Sequence, residues 1–236
     1  MIEARNLAFS YDSRLVLRDV SFVVSPGETV SVVGANGAGK TTLLRLLATL
    51  AVPESGTILS DGQDALVRPL RYRRQIGYLP EKVALYDDMN VKEYLRYRAE
   101  LKGEPMKRVR RRVNEAAEIC RISDQMRTPI GKLSMGLRKR VALADALLLR
   151  PRVLLLDDFL AGLDFGMRET AGEILSNAAA FSSVVITGHE IGDLAKWTTR
   201  FLVLKDGVIS TVVSTAGVDE VTVRERVCLA LKGVEP

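Results

Sequence analysis

The sequence is poor in the residues that mark secreted or metal-binding domains. Its 236 residues include two cysteines, Cys120 and Cys228, and one histidine, His189. Two cysteines so far apart give neither a disulfide framework nor a zinc-site spacing, which favours a reducing cytosol. Aromatic residues make up only 6% of the chain, and the densest basic cluster, at 107–112, contains none of the aromatic residues on which nucleic-acid bases stack. We expect no nucleic-acid partner.

Long apolar runs are also missing. The longest are about the length of a strand, well short of the ~20 residues that a membrane-spanning helix needs. Residues 1–10 include Glu3, Arg5 and Asn6, which is unlike a secretory signal. The net charge of +5 is mild and is explained by solubility as well as by any partner. We therefore expect no direct membrane insertion, and any membrane role to come through a partner.

The chain alternates between short β-branched runs and helical segments. Such alternation predicts an α/β fold with a covered parallel sheet. Strands are expected at residues 2–9, 16–24, 29–34, 56–59, 76–79, 153–156, 184–187 and 201–204. Helices are expected at residues 42–50, 137–149, 166–180 and 191–196, with a short helix or a strand–helix edge at 218–232. Asp206-Gly207 predicts a hairpin after the last strand, because this pair favours the positive φ of a tight turn.

One stretch interrupts the alternation. After residue 90 the pattern becomes continuously helical and rich in Arg, Lys, Leu and Ala. We interpret residues 90–150 as an inserted helical subdomain. Residues 1–89 and 151–236 would then form the core of a single domain that covers residues 1–236.

A glycine-rich segment gives the clearest chemical signal. Residues 30–42 read VSVVGANGAGKTT, which contains the pattern G-x-x-x-x-G-K-T between a predicted strand and a predicted helix. Its glycines let successive N–H groups curl around phosphate, Lys40 reaches the β- and γ-phosphates, and the Thr41 hydroxyl can bind Mg²⁺. A plain glycine-rich turn is the alternative. The expected phosphate-contacting residues are Gly34, Ala35, Asn36, Gly37, Ala38, Gly39, Lys40, Thr41 and Thr42.

A second acidic segment complements this loop. Residues 153–164 read VLLLDDFLAGLD, an apolar strand that runs into Asp157 and Asp158. In phosphate-loop proteins the carboxylate at the end of such a strand holds Mg²⁺ through its water shell. Asp157 is therefore predicted to hold Mg²⁺, and a helix cap or turn is the alternative for this residue.

Residues 132–164 narrow the choice of family. They read KLSMGLRKRVALADALLLRPRVLLLDDFLAGLD, which resembles the ATP-binding-cassette (ABC) ATPases, the nucleotide-binding subunits of ABC transporters. The family signature L-S-G-G-Q stands here as LSMGL, and it is followed by a basic helix, a proline, a D-E-like pair and a G-L-D loop. The resemblance covers essentially the whole chain. It implies a P-loop NTPase fold: a RecA-like mixed or parallel sheet core, an N-terminal antiparallel β part and an inserted α-helical subdomain.

The resemblance also implies how ATP and Mg²⁺ are held. Tyr11 matches the aromatic residue that stacks on adenine, and Val16 matches the small apolar group beside the base. Tyr11 alone would equally suit ordinary packing. Glu81, in the segment IGYLPE, stands at the position of the family's Mg²⁺-binding glutamine.

A dimer is implied as well. In the family, ATP lies between two cassettes arranged head to tail, so that Ser134, Met135 and Gly136 would contact the nucleotide bound by a second subunit. Asp164 matches the aspartate of the neighbouring loop. The implied partners are a second ABC ATPase subunit, identical or different, and integral membrane permease subunits. The implied location is cytoplasmic, on the inner face of the plasma membrane.

The catalytic set implied by the resemblance is Asp158, His189, Glu81 and Lys40. Asp158 stands where the family has the glutamate that polarises the attacking water, and His189 stands at the switch histidine. Because aspartate is one methylene shorter, its carboxylate falls about 1.5 Å back. We therefore expect an ATPase that is slow. The alternative is a regulatory cassette that binds ATP as a switch and pairs with a more active one.

Two departures bear on the branch of the family. Glu81 and the residues that follow it look closest to the ATPases of ABC-2-type exporters, which favours export over import. Met135 replaces the first signature glycine.

The basic cluster at 107–112 suits a solvated helix face, or a contact with lipid, RNA or an acidic loop. Two other classes of ABC-type ATPase are disfavoured. Repair and chromosome ATPases insert a long coiled coil between the phosphate loop and the signature, whereas the segment between Lys40 and Ser134 is short. Translation factors of this type carry two cassettes, and this chain has one.

Overall fold

A computed structural model describes residues 1–12 and 14–234. Its strands are Ile2–Tyr11 (β1), Arg14–Val24 (β2), Thr29–Val33 (β3), Ser55–Ser60 (β4), Gln63–Asp64 (β5), Ile76–Leu79 (β6), Val153–Leu156 (β7), Ser183–Thr187 (β8), Arg200–Lys205 (β9) and Val208–Ser214 (β10). Its α-helices are Lys40–Leu47 (α1), Pro69–Arg73 (α2), Val91–Leu101 (α3), Met106–Ile119 (α4), Met135–Leu147 (α5), Phe165–Ala179 (α6), Ile191–Ala195 (α7) and Glu220–Lys232 (α8).

The N-terminal strands form an antiparallel sheet in the order β2-β1-β4-β5. Residues along β2 alternate between the core and solvent: Val20 and Phe22 are buried, whereas Ser21 and Val23 are exposed. This period of two is what a sheet with one covered face requires. The predicted N-terminal antiparallel part is therefore confirmed.

The main sheet has the order β10-β9-β3-β8-β7-β6. The strands from β9 to β6 are parallel, and only β10 pairs antiparallel with its neighbour. Every residue of β3, β7 and β8 is buried, as expected for strands covered on both faces. The order places β8 between β3 and β7, so the loops that leave these three strands meet at one edge. The predicted P-loop NTPase fold is confirmed.

A run of helices separates β6 from β7, although these strands are neighbours in the sheet. Asn90 and Glu93 cap α3 with reciprocal hydrogen bonds. Asp145 on α5 then pairs with Arg98 at 3.0 Å and with Lys102 at 2.7 Å, which ties α3 to α5. The run occupies the segment assigned to a helical subdomain, and the division into subdomains stays a prediction.

Helix boundaries differ from the sequence predictions. Helix α1 begins at Lys40, two positions before the predicted start, because Gly39 caps it with φ of 106°. It ends before Thr49, whose φ of 55° lies outside the helical region. Helix α5 likewise begins at Met135 instead of 137, since Ser134 caps it. The C-terminal segment is a helix with Asp219 as its cap, which resolves the alternative of a strand edge. Strand β5 and helix α2 were not predicted.

In the part of the chain that the structure describes, no helix combines the length and apolar character needed to cross a membrane.

Candidate functional site

A cleft of about 1340 Å³ opens at the carboxyl ends of β3, β7 and β8. It brings together residues that the sequence analysis drew from separate motifs. The predicted site residues on its wall are Tyr11, Val16, Ala35, Asn36, Gly37, Ala38, Gly39, Lys40, Thr41, Thr42, Glu81, Asp157, Asp158 and His189. Gly34 lies at the base of the same loop, whereas Ser134, Met135, Gly136 and Asp164 do not line the cleft.

The loop before α1 depends on glycine at two positions. A Cβ atom on Gly34 would lie 2.3 Å from the Leu204 carbonyl oxygen, and one on Gly39 would lie 2.8 Å from Leu17 Cδ2. Gly39 also has φ of 106°, which side chains disfavour. The loop therefore packs directly against the strands and places the start of α1 on the cleft wall. A helix start of this kind binds anions.

Lys40 extends across this loop. Its Nζ donates hydrogen bonds to the carbonyl oxygens of Gly34 at 2.8 Å and Ala35 at 3.1 Å. Burial lowers the pKa of Lys40, while Asp158 and Asp157 act in the opposite direction. The ammonium group is thus held against the loop, on the wall of the cleft where a phosphate would bind.

Asp157 is the buried charge of the site, with only 3% of its surface exposed. Its Oδ1 accepts hydrogen bonds from Thr41 Oγ1 at 3.2 Å and from Thr187 Oγ1 at 2.7 Å. Its Oδ2 is buried, and within residues 1–12 and 14–234 it has no hydrogen-bond partner. A buried carboxylate oxygen without a partner, beside a threonine hydroxyl, fits a hydrated Mg²⁺ whose remaining ligands come from phosphate and water.

Asp158 follows with an unusual backbone, since its φ is 48°. Its N–H donates to Thr187 Oγ1 at 3.0 Å, and its Oδ1 is buried and unpaired among the described atoms. Burial raises the pKa of Asp158, and the nearby Glu190 carboxylate adds to the effect. His189 is exposed, and its backbone N–H donates to Glu190 Oε2 at 3.3 Å. The site therefore holds a carboxylate of raised basicity next to an accessible histidine.

The signature residues lie elsewhere on the chain: Ser134 and Met135 are exposed at the start of α5, whereas Gly136 is buried. Ser134 Oγ accepts from the Leu137 N–H at 3.4 Å and caps α5. Met135 follows with 64% of its surface exposed. Asp164 caps α6 by accepting from the Met167 N–H at 2.9 Å. The structure does not bring these side chains to the cleft of their own chain.

Sequence reasoning missed Thr187 and Glu190. The parallel register pairs Leu156 with Ile186, so the next residue of each strand, Asp157 and Thr187, lie side by side. The available signal was the hydroxyl of Thr187 at the last position of the predicted strand. Which residue this hydroxyl contacts depends on the order of the strands, which could not be predicted.

A phosphate loop after β3 and a carboxylate after the neighbouring β7, within a largely parallel sheet, define a P-loop nucleotide-binding protein. Residues 17–161 match the family described as ABC transporter. The chain belongs to the ABC transporter family.

Individual relatives agree with this assignment. The ABC transporter ATP-binding protein YxlF of Bacillus subtilis is 33% identical over 89% of this chain and 70% of its own length. The sulfate/thiosulfate import ATP-binding protein CysA of Methylococcus capsulatus is 36% identical over 89% of this chain, which spans 62% of CysA. Among solved structures, CbiO1 of Clostridium perfringens, part of the ABC transporter complex cbiONQ, has 25% identity and a TM-score of 0.84, covering 98% of this chain and 94% of CbiO1.

These relatives confirm the predicted ABC family and support nucleotide binding. They do not support the expected closeness to ABC-2-type exporters, because the relatives named for a transport direction, CysA among them, are import proteins.

Replacing Thr187 by valine should destabilise the folded chain by about 1–3 kcal/mol, because Asp157 Oδ1 and the Asp158 N–H both lose a partner. Urea unfolding without nucleotide measures this free energy. Thr211→Val is the matched control, since among the described residues the Thr211 hydroxyl makes no hydrogen bond and β10 lies at the sheet edge. Equal stability of the two variants would show that Thr187 does not hold the site together.

Proposed function

We propose that the chain is the ATP-binding and ATP-hydrolysing subunit of an ABC transporter, which drives membrane permease subunits. One observation carries the proposal. Thr41 and Asp157 come from motifs far apart in sequence, yet their oxygens lie 3.2 Å apart beside Lys40, and the second oxygen of Asp157 lacks a partner in the described chain. Few sites other than that of a metal–triphosphate complex need this combination of groups.

The binding step uses charge and backbone dipoles. The N-terminus of α1 and the Lys40 ammonium both face the phosphates, while Thr41 and Asp157 supply oxygen ligands to Mg²⁺. When bound, Mg²⁺ neutralises the charge that develops on the phosphate oxygens. At the rim, Tyr11 is 42% exposed and its ring packs edge-on against Phe9 at 4.9 Å. This packing supports the proposal that a face of Tyr11 stacks on adenine, with Val16 beside the base.

The hydrolytic step would use Asp158 and His189. We infer that the Asp158 carboxylate orients and polarises a water in line with the γ-phosphate, and that His189 contacts that phosphate. The raised pKa of Asp158 makes it a better base at neutral pH. Glu81 is exposed on the cleft wall, where it would add an oxygen ligand next to Asp157.

The dimer completes the site. Ser134 and Asp164 stand at exposed helix starts outside their own cleft, and the N-terminus of α5 carries the partial positive charge that attracts phosphate. We propose that a second copy, or a related cassette, seals each ATP with its Ser134, Met135 and Gly136. Permease subunits would hold the assembled pair at the cytoplasmic face of the membrane. This cycle would serve import and export alike.

Replacing Lys40 by alanine should weaken binding of a non-hydrolysable ATP analogue by about 10–100-fold, because charge-assisted hydrogen bonds to phosphate are lost. Calorimetric titration with Mg²⁺ measures the dissociation constant. Lys107→Ala, the same change at an exposed position of α4, should bind as the wild type does. An unchanged affinity of Lys40→Ala for the ATP analogue would refute the proposal.

Replacing Ser134 by glutamate should prevent ATP-dependent dimerisation, because a carboxylate would face the phosphates of the partner's nucleotide. The dimer dissociation constant should rise at least about 10-fold, while nucleotide binding to the single chain is retained. Sedimentation velocity with Mg²⁺ and the non-hydrolysable analogue measures both states. Ser123→Glu, at an exposed serine between α4 and α5, is the control. A Ser134→Glu chain that dimerises normally would refute the head-to-tail arrangement.

Replacing Asp158 by glutamate should raise the single-turnover rate of ATP cleavage by about 10–100-fold, because a carboxylate misplaced by ~1 Å loses rate on this scale. Rapid-quench measurement with ATP bound in advance isolates the chemical step. Asp158→Asn, which lacks the basic carboxylate, should be slower than wild type. Absence of a gain in Asp158→Glu would contradict the argument from side-chain length.

A further inference from the structure

The loop that carries the proposed catalytic carboxylate is held by cations from two helices. Lys139 of α5 donates from Nζ to the carbonyl oxygen of Phe159 at 3.0 Å and closely to that of Ala161. Arg168 of α6 donates from Nε to the carbonyl oxygen of Leu163 at 2.9 Å. Alternate carbonyl groups of residues 159–163 are thus fixed from outside the loop.

The loop has little internal support. The Ala161 N–H donates to the Asp158 carbonyl oxygen at 3.2 Å, and the Leu163 N–H donates to that of Leu160 at 3.2 Å. Asp158 has φ of 48°, a conformation that costs a non-glycine residue free energy and persists only when its surroundings hold it. Thr187 Oγ1 holds the Asp158 N–H, and burial anchors the side chains of Phe159 and Leu160. The carbonyl groups of residues 159–163 are then the part of the loop that Lys139 and Arg168 fix.

Lys139 is well placed to do this. It is half-buried, and burial lowers its pKa, while Asp158, Glu190 and Glu81 lie close enough to counter that effect. Its ammonium group thus lies within electrostatic reach of these three carboxylates, and it is anchored to backbone carbonyl groups instead of to any one of them. An anchor of this kind fixes the loop without neutralising Asp158 in a direct ion pair.

We propose that Lys139 is a positioning residue for ATP cleavage: its ammonium holds the carbonyl groups of Phe159 and Ala161 so that the short Asp158 side chain faces the attacking water. This inference rests on the proposed function. It also gives α5 two roles, since its capped end carries Ser134, which faces a second subunit, while Lys139 reaches the catalytic loop of its own chain. A shift of α5 when Ser134 binds the partner's nucleotide would therefore move Lys139 and change the position of the Asp158 side chain.

The test compares Lys139→Met, which keeps the aliphatic stem and removes the donor, with Lys107→Met on the exposed face of α4. Lys139→Met should lower kcat by about 10–100-fold, the cost of a misplaced reacting group, and leave the KM for ATP unchanged. Lys139→Arg should restore most of the turnover, since its fork can donate to both carbonyl groups. A normal kcat in Lys139→Met, or equal losses in kcat and in ATP binding, would overturn the proposal.

A coupling measurement separates positioning from general support of the fold. In an Asp158→Ala background, where there is no carboxylate left to position, Lys139→Met should leave the residual single-turnover rate unchanged. A further loss of the original size would show that Lys139 acts independently of Asp158, and the proposal would fail.

Hydrogen exchange supplies a readout that needs no nucleotide. Amides of residues 158–163 should exchange about 10-fold faster in Lys139→Met, because a charge-assisted hydrogen bond to the loop is lost, and at the wild-type rate in Lys107→Met. Unchanged exchange would remove the structural basis of the proposal. If the wild type itself cleaves no ATP, the proposed function fails, whereas a wild type that cleaves ATP beside an unaffected Lys139→Met refutes only the role of Lys139.

Discussion

The site depends on a single acceptor atom, Oδ1 of Asp157, which receives the hydroxyls of Thr41 and Thr187. These two bonds join the start of α1, the end of β7 and the end of β8 at one point. A carboxylate as buried as Asp157 is costly unless its oxygens are paired, and only one of them is paired within the described chain. The core therefore packs around a carboxylate, and a hydrated cation would supply the missing partner of its second oxygen.

The same point explains why the cleft forms only half of the proposed site. Each group proposed to bind phosphate within its own chain lies at the carboxyl end of a buried strand or at the start of α1. Ser134 and Asp164 instead start α5 and α6 at exposed positions. Parallel strands gather their loops at one edge, whereas these two helix starts lie outside that edge and, in the proposed dimer, face a ligand held by the other subunit. The strand order thus separates the residues proposed to bind ATP within one chain from those proposed to bind it between subunits.

The sequence predicted the parts of the site whose geometry is local. The loop at 34–41 and Asp157 were found because one strand and the turn after it set their positions. Thr187 and Lys139 were missed because their contacts arise from the placement of β8 between β3 and β7 and from the packing of α5 against the loop after β7. The expected exporter branch rested on Glu81, an exposed residue on the cleft wall, and on the residues that follow it, and such a segment reports little about the membrane partner.

Charge balance links binding to release. Asp158 and Glu81 add negative charge to the cleft wall, and burial and the nearby Glu190 raise the pKa of Asp158. A triphosphate brings further negative charge, so Lys40 and a metal ion have to offset repulsion before any affinity is gained. In the proposed dimer, the positive end of a second subunit's α5 would add to that offset, which would favour closure only while the γ-phosphate is in place. After cleavage, the separated anions would repel each other and the carboxylates, so the same charges would then favour opening.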